Sequence, residues 1–357
     1  MKNVVIAMSG GVDSSVAAYL LTEAGFDVLG ITMQIWQKDE EAAAANGGCC
    51  GLTAVEDARF VCNALGIPHY VLNFRDVFRE KVVDYFAAEY RAGRTPNPCI
   101  ACNRHVKWQS FLAKALELGG DAIATGHYAR IFQRRDNGRF TIMASDSAKD
   151  QSYALYNLTQ YQLRRTLFPI GDLSKEVVRR IAVEKIGLRV AEKPDSQEIC
   201  FIPDKNHPKF LEEYFGGKMP EGDFVDEKGN VLGRHKGVDH YTIGQRKGIE
   251  ISFGKPMYVK EINAAKNHVI LSGNDALFSR DLIAKDVNFM ALDKIDGEVR
   301  CFGKIRYSHR AAPCFIKETG DGKIKCRFDE FQRAITPGQA AVFYDEEGRM
   351  ICGGEIA

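Results

Sequence analysis

The sequence predicts an α/β fold in its first two hundred or so residues, with a mainly parallel sheet, followed by a β-rich remainder. Two observations carry this. From Met1 to about Ile202, short apolar segments alternate with helical stretches, the rhythm of βαβ units. After Pro203 the helical period fades, and glycine-punctuated segments such as Gly216-Gly217, Glu227-Lys228-Gly229-Asn230 and Gly320-Asp321-Gly322 take over. At 357 residues the chain is too long for one ordinary core, so two or three domains are expected.

In order, Val4 to Met8, Val28 to Met33, His69 to Asn73 and Asp121 to Thr125 read as strands. Ser14 to Ala24, Ala54 to Leu65, Val77 to Ala92 and Val106 to Leu118 read as helices with apolar residues at helical spacing. Farther on, Lys323 to Phe328 and Ala340 to Tyr344 alternate as half-buried strands do.

Hydrophobic residues make up 45% and charged residues 27% of the chain, the balance of a soluble globular protein. A net charge of +1 argues against nonspecific coating of nucleic acid and leaves room for a local basic face. Met1-Lys2-Asn3 leads straight into an apolar strand, with no signal peptide ahead of it. No apolar run reaches the roughly 18 to 20 residues of a membrane span. A cytoplasmic protein without a membrane partner is therefore expected. Ten cysteines spread through so long a chain suggest reduced thiols rather than a disulfide scaffold. Cys62, Cys301, Cys314, Cys326 and Cys352 read as small core residues.

The most informative motif is Ser9-Gly10-Gly11-Val12-Asp13-Ser14-Ser15, between the first strand and the first helix. Glycines let backbone N–H groups close on phosphate oxygens, the hydroxyls add donors, and the helix N-terminus adds a favourable field. The motif lacks the Gly-Lys-Ser/Thr ending of a kinase-type loop and the Gly-x-Gly-x-x-Gly of dinucleotide folds. It resembles the signature of PP-loop ATP pyrophosphatases, which adenylate a carbonyl oxygen and release pyrophosphate. That likeness implies ATP contacts from Ala7, Met8, Ser9, Gly10, Gly11, Val12, Asp13 and Ser14, with Asp13 helping to hold Mg²⁺ and pyrophosphate. Met33 ends the second strand at the same sheet edge and reads equally as an adenine contact or as core. In Thr125-Gly126-His127-Tyr128, Gly126 admits a nucleotide closely, while His127 either contacts RNA or caps a turn.

Thr95-Pro96-Asn97-Pro98-Cys99-Ile100-Ala101-Cys102-Asn103 lies between two helical stretches. Its prolines hold the approach rigid, and Cys102 falls near the start of the following helix, where the local field favours a thiolate. Cys200 closes Asp195-Ser196-Gln197-Glu198-Ile199-Cys200. With Gly126-His127-Tyr128-Ala129, Lys149-Asp150-Gln151-Ser152-Tyr153 and Tyr241-Thr242-Ile243-Gly244-Gln245-Arg246-Lys247-Gly248, these segments resemble the bacterial tRNA-specific 2-thiouridylases over essentially the whole chain.

The resemblance implies ATP-dependent adenylation of the 2-oxygen of a wobble uridine, followed by displacement of AMP by persulfide sulfur. Cys200 would accept the sulfur. Cys102, the nucleophile, would either attack the activated carbon or release sulfide through a transient Cys102–Cys200 disulfide. Cys99 stands where some relatives carry Asp, which leaves the general-base role there open. Cys99, Cys102 and Cys200, with Cys49-Cys50 nearby in the pattern, also make an iron–sulfur cluster conceivable, with zinc or no metal as alternatives; the metal-free persulfide route is preferred.

Asn97, Pro98 and Cys99 would lie against the target base, since the loop that carries the nucleophile must touch its substrate. By resemblance, His127, Lys149, Asp150, Gln151, Arg306, Tyr307 and Gln339 are further tRNA contacts. The expected partners are tRNA, with lysine, glutamate and glutamine acceptors as the family set, and a persulfide donor such as a cysteine desulfurase or relay protein. The implied organisation is a PP-loop domain over 1–206, with an insertion around 166–188 that packs on the next unit. A small β-rich domain over 207–281 and a C-terminal β-barrel over 282–357 follow.

Overall fold

The structure, a computed structural model, describes residues 1–35, 52–145, 149–187, 199–249 and 254–357. Cys49, Cys50 and the segment from Asp195 to Glu198 lie outside the described residues.

The first unit is a parallel sheet. Its strands are β1 (Asn3–Ala7), β2 (Asp27–Gln34), β3 (His69–Asn73), β4 (Ala122–Ala124) and, after a small hairpin of β5 (Arg130–Gln133) and β6 (Phe140–Met143), β7 (Thr166–Leu167). They lie side by side in the order β3-β2-β1-β4-β7, all parallel. The direction of winding reverses between β1 and β4, the place where open α/β sheets bind ligands beyond the carboxyl ends of their strands.

Alternation along β1 explains why its sequence is apolar throughout. Val4 and Ile6 face one layer, shared with Val16 and Ala17 of α1 (Val12–Glu23), Val61 of α2 (Leu52–Ala64) and Val178 of α6 (Lys175–Ile186). Val5 faces the other, with Phe78 and Phe86 of α3 (75–91) and Trp108 and Phe111 of α4 (98–117). The middle turns of α3 and α4, Arg79–Asp84 and Cys102–Phe111, are wound more widely than an α-helix, as π-helical turns. The short α5 (Gln160–Leu163) opens with a capping box on Thr159. Within residues 166–187, expected as an insertion, β7 extends the sheet and α6 buries Val178, Ala182 and Ile186 beside α1.

A helix α7 (His207–Phe215) leads into a four-stranded sheet of β8 (Gly222–Val225), β9 (Val231–His235), β10 (Tyr258–Asn263) and β11 (His268–Ser272), in the order β10-β11-β8-β9. The last six strands are β12 (Phe278–Phe289), β13 (Glu298–Lys304), β14 (Ala312–Gly320), β15 (Lys323–Arg333), β16 (Ala340–Tyr344) and β17 (Met350–Ile356). They close into a barrel in the order β12-β15-β14-β13-β16-β17, which removes every sheet edge. β12 runs unbroken across position 282, so the barrel begins ahead of the expected junction.

The barrel is not a bead on a string. Met290, Val342, Tyr344 and Met350 belong to the same hydrophobic cluster as Phe86 and Trp108. Arg139 donates to the carbonyls of Phe289 at 2.9 Å and Met290 at 3.1 Å, and Asn288 donates to those of Tyr156 at 2.6 Å and Leu158 at 3.0 Å.

The α3–α7 junction carries a pH dependence. The His207 ring lies 4.9 Å from that of Tyr90, and burial, with the neighbouring His240, pushes its pKa down from 6.5 to about 4. The native state holds His207 neutral while the unfolded chain takes up its proton, so its contribution is present above 6.5 and is lost as pH falls toward 4. Thermal midpoints measured across this window should fall with acid, and His207→Gln should flatten that dependence.

Candidate active site

The phosphate loop is fixed by its own side chains. Gly11 caps α1 in an extended conformation. Ser14 and Ser15 donate their hydroxyls to its carbonyl at 3.0 and 2.9 Å, and Ser14 Oγ accepts the Ser9 N–H at 3.2 Å. Gly10 has φ +70°, and a Cβ there would stand 2.3 Å from the Ala54 carbonyl oxygen, so no other residue fits. Ala7 ends β1, Met8 and Val12 are buried, and Met33 is half-buried against the α3–α4 core, one residue before β2 ends.

β4 delivers Thr125-Gly126-His127-Tyr128 to the same edge. A Cβ on Gly126 would meet the Asp13 carbonyl carbon and the Ser14 nitrogen at 2.8 Å, so the two loops touch backbone to backbone. His127 is 8% exposed. The Lys107 ammonium, which can only donate, lies 3.4 Å from Nε2. Nε2 therefore accepts, and Nδ1 carries the proton toward Thr125 Oγ1 at 2.6 Å. Burial, with Lys107 second, holds the His127 pKa well below 6.5, so the ring stays neutral. Both ring nitrogens are engaged inside the protein.

Asp13, expected to help hold Mg²⁺, has other partners. Lys175 Nζ reaches both carboxylate oxygens at 2.8 and 2.9 Å, and the Tyr128 hydroxyl donates to Oδ1 at 2.8 Å. These three hydrogen bonds leave the carboxylate with lone pairs for a further partner. Among the described residues, no group of three or more His, Cys, Asp or Glu side chains could hold a metal.

The cysteine loop is built more rigidly than its prolines require. The Asn97 side chain accepts the Cys99 N–H at 3.1 Å and the Ile100 N–H at 3.3 Å, capping α4 with Pro98 in its first turn. The helix therefore starts at Pro98 rather than near Cys102. Cys99 stands exposed in the first turn, where the helix field is strongest, and Cys102, half-buried, lies a turn farther in. Asn103 donates to the Ala154 carbonyl at 2.9 Å and fixes that turn. Cys200 is exposed, and its neighbour Phe201 is buried against Phe86.

The expected RNA contacts divide into two kinds. Gln339 donates to the Thr95 carbonyl at 2.8 Å, and the Thr95 N–H donates to Pro337 at 3.0 Å, so the barrel grips the approach to the cysteine loop. Arg306 likewise donates to Ala334 at 2.6 Å and Thr336 at 2.7 Å. Gln151 accepts the Tyr128 N–H at 3.0 Å, and Asp150 accepts from the Ser145 and Ser152 N–H groups at 3.0 and 3.1 Å. Tyr307, by contrast, is 46% exposed, and Lys149 is half-buried. Burial first, then the charges of Asp150 and Cys99, raises the Tyr307 pKa. Lys304 sits over the rings of both Tyr153 and Tyr307, at 5.8 and 5.6 Å.

Lys107, Lys175 and Lys304 were not singled out in the sequence. Each is one lysine among many, and the signal is the partner that folding supplies. The Gly126 contact yields a direct test. Gly126→Ala should push β4's loop off the phosphate loop, lowering the thermal midpoint and removing ATP binding, read by thermal melts and equilibrium dialysis.

Three family models match in succession. They are described as a tRNA methyl transferase HUP domain over residues 2–204, a tRNA methyl transferase PRC-barrel domain over 208–273 and an aminomethyltransferase beta-barrel domain over 279–356. A tRNA-specific 2-thiouridylase MnmA of Lachnoclostridium phytofermentans is 57% identical over 99% of this chain and 99% of its own. A protein of the same name from Clostridioides difficile is 54% identical over 99% of this chain and 98% of its own. A solved 4-thiouridine synthetase–RNA complex with bound ATP is far more distant, with a TM-score of 0.37 and 20% identity over 60% of this chain and 50% of that one. With relatives of this identity along its whole length, the chain belongs to the tRNA-specific 2-thiouridylase family.

Proposed function

We propose that this protein is an ATP-dependent tRNA sulfurtransferase that replaces the 2-oxygen of a wobble uridine with sulfur. The observation that carries the reading is the meeting at one sheet edge of a pyrophosphatase-type loop and the helix that bears Cys102. α4 reaches the β4 loop through Lys107 and His127, and that loop lies on Asp13 and Ser14. A uridine 2-oxygen is a poor leaving group. Attack of that oxygen on the α-phosphorus of ATP breaks the bond to the bridging oxygen, releases pyrophosphate and leaves the 2-oxygen adenylated, so that AMP can depart from C2.

Sulfur then arrives as a persulfide on Cys200, loaded by a cysteine desulfurase or relay protein. In one route the Cys102 thiolate attacks the inner sulfur, forming a Cys102–Cys200 disulfide and releasing hydrosulfide. Hydrosulfide adds at C2 and expels AMP, and an external dithiol reduces the disulfide. In the other, the Cys102 thiolate attacks C2 and expels AMP, the outer sulfur of the Cys200 persulfide displaces Cys102 from C2, and Cys102 then attacks the Cys200 sulfur, freeing 2-thiouridine and forming the same disulfide. Cys99, in the first turn of α4, is available for proton transfer where some relatives carry Asp. ATP enters as its Mg²⁺ complex, and no step requires an iron–sulfur cluster.

In this reading the three units divide the work. The sheet domain binds ATP through the Ser9–Ser15 loop, with Met33 and Gly126 beside it. The target base lies on Asn97, Pro98 and Cys99. Lys149, Tyr307 and His127 touch RNA, while Gln339, Arg306, Asp150 and Gln151 act by holding the surfaces that do. The substrates are the lysine, glutamate and glutamine acceptor tRNAs, and the enzyme works in the cytoplasm. No helix among the described residues is long and apolar enough to cross a membrane.

Cys102→Ser and Cys200→Ser should each abolish 2-thiouridine formation, scored by nucleoside mass spectrometry, because an alcohol neither carries persulfide sulfur nor matches a thiolate as nucleophile. Incubation with a labelled persulfide donor should put label on Cys200. Label found chiefly on Cys102 would reverse the assigned roles, and methylated rather than thiolated uridine would replace the reading altogether.

A further inference from the structure

Among the described residues five cysteines are buried and Cys102 is half-buried, while Cys99 and Cys200 stand exposed. The reading above assigns sulfur chemistry to Cys102 and Cys200 and gives Cys99 only the place of a carboxylate. At neutral pH a carboxylate moves protons or binds cations, whereas a thiol also exchanges with a disulfide. A third sulfur on the helix of the nucleophile therefore adds a reaction that an Asp cannot perform.

The position of Cys99 suits that reaction. It lies three residues ahead of Cys102, across the opening turn of α4, with the Asn97 side chain accepting its N–H at 3.1 Å. Residues so spaced on a helix share one face and stand ~5 Å apart at Cα. That separation falls inside the range of about 4.4–6.8 Å that a disulfide spans. The helix field favours a thiolate in this first turn, and the thiolate is the form that attacks a disulfide. The Cys102–Cys200 disulfide that ends either route ties a half-buried sulfur to an exposed one, and it occupies the sulfur carrier until something breaks it.

Resting on the persulfide reading above, we propose that Cys99 is a third catalytic cysteine, which resolves the Cys102–Cys200 disulfide from within the protein. The Cys99 thiolate attacks Cys102 Sγ. A Cys99–Cys102 bond forms, the Cys102–Cys200 bond breaks, and its electron pair passes to Cys200, which leaves as a thiolate ready for the next persulfide. This exchange is redox-neutral. The external dithiol then attacks the exposed Cys99 sulfur of the new disulfide. It is oxidised to a disulfide itself, and Cys99 and Cys102 take up its two electrons and two protons. The target base covers Cys99 during transfer, so resolution waits until the thiolated product leaves.

The test uses the full-length protein, loaded with persulfide on Cys200 by a cysteine desulfurase and then separated from the donor and from small thiols. It receives excess tRNA transcript and ATP without reductant. After one turnover the reaction is quenched with N-ethylmaleimide, and the peptides are mapped by mass spectrometry. Most of the cross-linked protein should carry a Cys99–Cys102 disulfide, in an amount matching the 2-thiouridine formed, with Cys200 alkylated. Cys99→Ser, checked for folding by its thermal midpoint, should lose that link and keep Cys102–Cys200 instead.

A parent that makes 2-thiouridine and ends mainly with Cys102–Cys200, or with no disulfide among the three, would overturn the proposal and leave the sulfurtransferase reading standing. A parent that makes no 2-thiouridine removes that reading, and the proposal with it.

Discussion

The backbone contact between Gly126 and the Asp13–Ser14 peptide sets the terms for the rest of the site. Two loops that end different strands approach until a single methyl group would collide at 2.8 Å. That distance fixes where the α1 N-terminus stands relative to β4. It also fixes where His127, and through it Lys107 of α4, can sit. The Tyr128 hydroxyl reaches Asp13 because its backbone is carried there by the same contact. Parallel strands on either side of the topological reversal bring the two loops near, and glycine lets them touch.

A second constraint runs from the far end of the chain. The barrel contributes Met290, Val342, Tyr344 and Met350 to the core behind α4, and Gln339 holds the Thr95 carbonyl ahead of the cysteines. The helix bearing Cys99 and Cys102 is thus pinned at its entry by the barrel and at its second turn by Asn103 on Ala154. A reactive thiol on a mobile loop would have to be ordered at each turnover. Here folding does that ordering once.

Four of the sheet's five strands and the four helical stretches of the first unit were legible because each rests on local periodicity, whereas β7, two residues long, carries none. Cys62, Cys301, Cys314, Cys326 and Cys352 were legible as core because a lone cysteine packs as a small apolar residue, and all are fully buried. The phosphate loop was legible because its glycines are demanded locally. What escaped depended on contacts between distant residues. The Asn97 cap moves the start of α4 to Pro98, and α6 belongs to the sheet domain because its apolar face finds α1. Lys175 and Asp13 are 162 positions apart, and neither carries a local trace of the other. The roles of Gln339 and Arg306 escaped similarly, since an amide or guanidinium that binds RNA and one that braces a loop look alike in sequence.

The four barrel cysteines have a meaning in a protein that handles loosely bound sulfur. Cys301, Cys314, Cys326 and Cys352 are sealed inside the closed barrel, with Cys301 and Cys314 sulfurs 3.5 Å apart on neighbouring strands. Hydrogen bonding to Cys314, together with burial, raises the pKa of Cys301 and Cys326, and burial raises that of Cys352. These three therefore stay protonated where a surface thiol would ionise. Persulfide sulfur migrates to any thiolate it can reach, so each accessible bystander cysteine would drain the carrier and scatter its cargo. The wall of the barrel acts as quarantine: chemistry that depends on one soft, promiscuous atom keeps its direction because the surplus sites for that atom are shut away from it.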